Sequence, residues 1–164
     1  MKKVVFLDRD GVINQEVGDY VYRVKDFKFN DGLFDALRLL KEHNYGLIVI
    51  TNQGGVAKEI YSSKEVFLVH QHMQKRLLEE RIDLVDIYYC PHHHTVSNCL
   101  CRKPNSMMIE RAIAKHDIDV SNSFLIGDSL RDVQAAEKTG VKGLLIKPNT
   151  NLFSFINEAI IDVV

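Results

Sequence analysis

Five short apolar runs, each separated from the next by a longer stretch with helical spacing, constrain this chain more than any other feature. The runs are VVFL at 4–7, GLIVI at 46–50, LVDIYY at 84–89, SFLIG at 123–127 and GLLIK at 143–147. They are continuous rather than alternating, which suits strands covered on both faces. Strands that alternate with helices assemble as parallel βα units. The pattern predicts an α/β fold: a single Rossmann-like, three-layer domain over residues 1–164 with a mainly parallel sheet of about five strands.

The intervening stretches carry helix signals. Leu33, Leu37 and Leu40 recur at i, i+4, i+7 behind Asn30 and Asp31, and the pattern stops near Asn44 and Gly46. Ser62 and Glu65 are spaced as a capping box in front of a stripe of Val66, Val69, Met73 and Leu77. Further helices are expected at about 105–116 and 131–139, the latter stopped by Gly140. Two long connections remain, at 11–30 and 91–102, and loops of that length are functional more often than idle. They leave no room for a large cap domain.

A chain of 164 residues buries roughly two thirds of its unfolded surface. With 46% hydrophobic residues, 26% charged residues and a net charge of -1, disorder and membrane spanning are excluded as classes. Lysines and arginines are scattered and balanced by acids, so the basic field that nucleic acid requires is missing. The apolar run after Lys2 and Lys3 is too short for a secretory signal, which points to the cytoplasm. Three clustered cysteines in such a protein argue for metal rather than disulfide.

Chemistry collects at the ends of the runs. DRDG places Asp8 and Asp10 at the carboxyl end of the first strand, where open parallel sheets bind ligands. If the backbone stays extended, their spacing of two puts both carboxylates on one side, as nucleophile or metal ligand and as general acid/base. On DxDG alone, an Asx-rich turn explains them as well. After GLIVI comes TNQGG, which brings the Thr51 hydroxyl and the following backbone N–H groups to the same edge, a cradle for phosphate. After SFLIG comes DSLRD, so Asp128 and Asp132 arrive at a further strand end, and RKP supplies Lys103 as a fixed charge. Oxygen-only ligation by Asp8 and Asp128 favours magnesium.

The set DRDGVI, TNQGG, CRKP and GDSLRD resembles the four motifs of the haloacid dehalogenase superfamily of phosphohydrolases, over Lys3 to about Lys147. More narrowly, DRDGVIN, TNQGGVA, YYCPHH and CLCRKP are similar to the branch containing the heptose bisphosphate and histidinol-phosphate phosphatases. The resemblance implies a magnesium-dependent phosphomonoester hydrolase with Asp8 as nucleophile, Asp10 as acid/base and Thr51 and Lys103 as phosphate ligands. By the same resemblance, magnesium is held by the Asp8 carboxylate, the Asp10 backbone carbonyl and Asp128. Asn52, Gln53, Lys58 and Arg102 are the candidate substrate-binding residues. Asp132 either orients Lys103 or a metal-bound water, or acts as the N-terminal acid of a helix.

Cys90-x-His92 and Cys99-x-Cys101 form two ligand pairs separated by a short loop, the makings of a closed, structural Cys3His zinc site. The family pattern puts zinc on these four residues. His93 or His94 could replace His92, and three buried or reactive thiols are the bland alternative. His70 and His72 do not share a helix face and read as surface histidines. Lys103, two residues past Cys101, would have its approach fixed by such a clip.

The expected partner is a small phosphorylated metabolite, met by a monomer. GVAKEIYSSKEV matches the heptose-type segment and implies removal of the C7 phosphate of D-glycero-D-manno-heptose 1,7-bisphosphate. The short HHTVSN loop matches the histidinol-phosphate form. Lys58-Glu59 in place of the usual RG, and Ser129 in place of a basic residue, thin the charge for a second phosphate. A phospho-accepting receiver domain is the alternative from another class.

Overall fold

The computed structural model describes residues 2–161. In chain order it contains β1 (Val4–Leu7), a 3-10 turn (Val24–Asp26), α1 (Leu33–Glu42), β2 (Gly46–Asn52), α2 (Ser63–Glu79) and β3 (Asp86–Cys90). There follow α3 (Met107–His116), β4 (Phe124–Gly127), α4 (Leu130–Glu137), β5 (Lys142–Leu145) and α5 (Leu152–Ile161). The five strands form one parallel sheet in the order β3-β2-β1-β4-β5.

Strand periodicity splits the core into two layers. Val5, Leu7, Leu47 and Val49 face α1, α2 and α5, while Val4, Phe6, Ile48 and Ile50 face α3 and α4. Both faces of β1, β2 and β4 are therefore covered, which is why these runs are continuously apolar. The edge strands differ: in β5 Lys142 and Leu145 are exposed, and β3 is mostly half-buried. The third strand also starts at Asp86 and ends on Cys90, displaced from the 84–89 run.

Helix ends follow their signals with one exception, and one helix is additional. Ser62 and Glu65 form the reciprocal capping box, Asn44 ends α1 in a left-handed conformation, and Gly140 does the same after α4. The start of α1 is different, because Gly32 occupies the cap position. Asn30 instead donates from its amide to the carbonyls of Gly11 and Val12, pinning the long loop. Helix α5 was not among the expected elements; Asn151 accepts from the Ser154 N–H at its start, and Leu152 and Ile156 pack into the α1 layer.

The strand order reverses between β1 and β4, with β2 and β3 to one side of β1 and β5 beyond β4. Open α/β sheets bind ligands at the carboxyl ends beside such a switch point. The order also differs from the 2-1-3-4-5 order of flavodoxin-like receiver domains, which removes that alternative. Among the described residues, no helix is long and apolar enough to cross a membrane.

Candidate active site

Asp8 and Asp128 follow the two strands that flank the switch point. Asp8 still belongs to the ladder, its N–H donating to the Ile126 carbonyl at 3.0 Å. The chain then turns at Arg9, whose carbonyl accepts from the N–H groups of Ile13 and Asn14. The turn, not an extended strand, brings both aspartates into one cavity of about 250 Å³. Gly11 makes the turn possible: its φ is +84°, and a Cβ there would stand 2.0 Å from Asp128 Oδ2.

Lys103 is buried with its ammonium 2.9 Å from Asp8 Oδ1 and 2.7 Å from Asp132 Oδ1, and it donates to the Ile50 carbonyl at 2.8 Å. The other oxygen of Asp132 accepts from the Ser129 N–H at 3.0 Å. One carboxylate thus contacts both the lysine and the first turn of α4. Three carboxylates around one ammonium leave excess negative charge in a dry place. Burial and the neighbouring Asp132 push Asp8 up to about 8, against the pull of Lys103. Burial and Asp132 likewise push Asp128 up to about 6. Burial pulls the Lys103 ammonium down, but the two carboxylates outweigh it and hold it above the ordinary lysine value.

Carboxylate oxygens of Asp8, Asp128 and Asp132 lie within 4.8 Å of one another, so a hard divalent cation fits where the charge is in excess. Asp132 already serves Lys103 and Ser129. The Asp10 carboxylate is drawn aside: it accepts from Arg9, from Asn14 Nδ2 at 3.0 Å and from Gln53 Nε2 at 3.1 Å.

Thr51 lines the cavity, its hydroxyl accepting from Gln53 Nε2 at 2.9 Å. The expected cradle of N–H groups is smaller than the sequence suggested, because the Gln53 N–H donates to the Cys90 carbonyl at 2.7 Å. Asn52 and Gln53 also line the cavity, but their amides are engaged within the protein. Asn52 bonds both backbone groups of Lys103, at 3.0 and 3.1 Å, and Gln53 accepts from the Tyr61 hydroxyl at 2.8 Å. Arg102 lines the cavity and donates to the His92 carbonyl at 3.0 Å, whereas Lys58 lies outside the lining, 5.8 Å from the Tyr20 ring centre.

The Cys and His cluster sits where β3 gives way to its loop. Cys90 Sγ is 3.7 Å from Cys99 Sγ and 3.6 Å from His92 Nδ1, and Cys101 Sγ is 3.3 Å from His92 Nδ1 and 3.0 Å from Cys90 Sγ. Bonds of about 2.3 Å to sulfur and about 2.0 Å to nitrogen give a zinc tetrahedron edges of roughly 3.5–3.8 Å; two of these separations match and the two to Cys101 are shorter, and with all four donor atoms within 4.8 Å of one another the set fits a metal of that kind. All three cysteines are free thiols, and burial pushes the Cys90 thiol well above its ordinary value. His93 and His94 stay outside the cluster. His93 faces Thr95 Oγ1 at 2.8 Å and lines the cavity, and its imidazole is held below its usual value by burial and by Lys58, Arg102 and Arg131 nearby.

Residues that sequence reasoning passed over complete the walls: Glu16, Asp19, Tyr20 and Val21 from the first loop, and Arg131 from α4. Only Arg131 carried a signal, a cation two positions from the Ser129 that stands in a basic residue's place. One reading was wrong. His70 is not a surface histidine but buried against Arg9, with Nε2 3.4 Å from the guanidinium; burial and that cation lower it to about 3. His72 packs against the edge-to-face pair of Phe27 and Phe29.

Comparison with known proteins bears on this site directly. The HAD-hydrolase-like family model matches residues 100–152, which include Lys103, Asp128 and Asp132. The chain is 39% identical over 145 residues to a D-glycero-alpha-D-manno-heptose-1,7-bisphosphate 7-phosphatase of Photorhabdus laumondii, covering 85% of this chain and 79% of that one. It is 42% identical over 147 residues to the beta-anomer enzyme of Haemophilus influenzae, covering 87% and 79%. Among solved structures, the D,D-heptose 1,7-bisphosphate phosphatase of B. bronchiseptica, complexed with magnesium and phosphate, superposes with a TM-score of 0.88 at 25% identity over 98% of this chain and 99% of that one. The chain therefore belongs to the D-glycero-D-manno-heptose-1,7-bisphosphate 7-phosphatase family of HAD-like hydrolases.

Proposed function

We propose that this phosphatase removes the C7 phosphate of D-glycero-D-manno-heptose 1,7-bisphosphate in the cytoplasm, as a monomer of one domain over residues 1–164. The observation that carries the reading is the buried Asp8–Lys103–Asp132 array beside Asp128 at the switch point. Relatives at about 40% identity bear the names of both anomeric forms of the activity.

In this reading Asp8 attacks phosphorus in line and becomes an aspartyl phosphate, and the Asp10 carboxyl gives its proton to the departing sugar oxygen. Asp10 then takes a proton from the water that hydrolyses the intermediate. Lys103, kept protonated by its carboxylate partners, and the Thr51 hydroxyl hold the equatorial oxygens through the loose transition state. Asp8, Asp128 and the Asp10 backbone carbonyl would hold magnesium, which supplies neutralisation of the phosphoryl charge. Cys90, His92, Cys99 and Cys101 would hold zinc, which supplies a fixed clip for the segment that delivers Arg102 and Lys103.

The second phosphate needs cations at the mouth, and Arg102 and Arg131 line it. In this reading Arg131 replaces the charge missing at Ser129. Lys58 contributes at longer range. Glu16 and Asp19 suit the sugar hydroxyls. They would also suit an ammonium group, which is the feature that keeps histidinol phosphate as the second reading. Steady-state kinetics on both anomers of the heptose bisphosphate and on histidinol phosphate test the choice. A bisphosphate kcat/KM at least about a hundredfold higher is expected, and equal values on all three overturn the assignment.

A further inference from the structure

Arg9 separates the two aspartates of the first turn and is not explained by phosphate binding. Its side chain is 1% exposed, on the floor of the cavity, yet every donor direction of one edge is used. Nη2 donates to both Asp10 oxygens at 3.0 Å and to the Val21 carbonyl at 2.7 Å, and Nε donates to Asp10 Oδ1 at 3.3 Å. On the other edge Nη1 meets the neutral His70 imidazole, and the Phe27 ring lies 6.0 Å away. The Asp10 side chain is 23% exposed, so the carboxylate is backed by a buried cation and open on the cavity side. A planar fork can meet a carboxylate edge and a carbonyl at once; a lysine ammonium cannot hold that plane.

We propose that Arg9 is a positioning residue for proton transfer: it fixes the direction of the Asp10 carboxyl and, through the Val21 carbonyl, ties that direction to the loop at 15–23 that walls the cavity. The inference rests on the acid/base reading of Asp10 given above. In the step concerned, an Asp8 oxygen bonds to phosphorus and the phosphorus–oxygen bond to the sugar breaks. The electron pair left on the sugar oxygen takes the proton of the Asp10 carboxyl, and the resulting carboxylate is the form that Arg9 holds. An aryl phosphate whose phenolate departs without a proton bypasses this transfer.

The leaving group therefore supplies the test. Each preparation is assayed for kcat/KM on the sugar phosphate and on p-nitrophenyl phosphate, and the ratio of the two is compared with that of the parent enzyme. The ratio does not depend on the fraction of folded enzyme, and kcat/KM leaves out hydrolysis of the intermediate. Arg9→Lys is expected to lower the ratio by about tenfold or more, part of the roughly 10²–10⁴-fold that a positioned acid contributes. Arg9→Gln, which keeps one donor, should do the same should the lysine variant fold poorly. A ratio within about twofold of the parent in both variants overturns the proposal, since a merely structural lesion lowers both activities together. Asp10→Asn separates the two levels. If it lowers the ratio while the Arg9 variants do not, only the role of Arg9 falls; if it leaves the ratio unchanged, the acid reading of Asp10 falls and takes the role of Arg9 with it.

Discussion

The two candidate metal centres are built from opposite materials. Asp8 and Asp128 are hard ligands held at strand ends by the sheet itself, with the N–H of Asp8 still in the ladder. Cys90, His92, Cys99 and Cys101 are soft ligands, three of them on a loop with little regular structure of its own. At the first centre the fold positions the acidic residues around an open cavity; at the second the four side chains, once closed on an ion, would position the loop. In this chain the densest run of metal-ligating residue types falls on a loop, while the acidic residues stand at the ends of fully buried strands.

The two centres should respond differently to substitution and to metal removal. Asp8→Asn should lower turnover by roughly 10⁴-fold or more. A variant that kept half its rate would remove the nucleophile from the rigid centre. Stripping the soft site with a chelator should lower Tm by roughly 5–10 °C, whereas magnesium depletion should abolish turnover with a smaller thermal effect. Identical signatures for the two ions would erase the distinction.

The third measurement concerns protons. In the metal-free protein Asp8 is raised to about 8 and Asp128 to about 6, both above the ordinary aspartate value, so ionising them costs stability as pH rises toward 8. A cation that displaces those protons relieves the cost. The stabilisation of the protein by magnesium should therefore grow between pH 6 and 8, with apparent affinity rising by up to about tenfold per pH unit. A flat response in isothermal titrations at pH 6, 7 and 8 would contradict the crowding of charge around Lys103. The smallest expected effect is at the mouth: Arg131→Ala should reduce kcat/KM for the bisphosphate about fivefold and leave a monophosphate nearly unaffected, the modest value of an exposed charge. Equal losses on both substrates would take Arg131 out of the recognition of the second phosphate.

The legible part of the fold was the part governed by local pattern. The interior strands β1, β2 and β4 are buried on both faces, and their runs say so; the edge strands, half covered, blurred their own limits. Motif residues at strand ends were readable because a parallel sheet delivers every carboxyl end to one side. What a side chain touches after a long loop folds back was not readable. Asn52 and Gln53 sit in the motif, yet their amides hold Lys103 and Asp10. Arg9 lies inside DRDG, but nothing in those letters tells that Val21, twelve positions on, accepts from it. His70 follows Val66 by four residues and precedes Met73 by three, so its place on the buried face of α2 could have been read from the spacing, whereas its contact with Arg9 could not.

Lys103 has a consequence for how the molecule comes together. Its counterions stand at positions 8 and 132, on either side of it in the chain and 124 residues apart. An ammonium left in a dry interior with one partner removed costs several kcal/mol. A nascent chain that has not yet delivered Asp132 therefore gains little by docking the RKP segment, and a fragment ending before α4 would carry that deficit permanently. The reaction centre is thus also the seam across which the first and last thirds of the chain become a single cooperative unit.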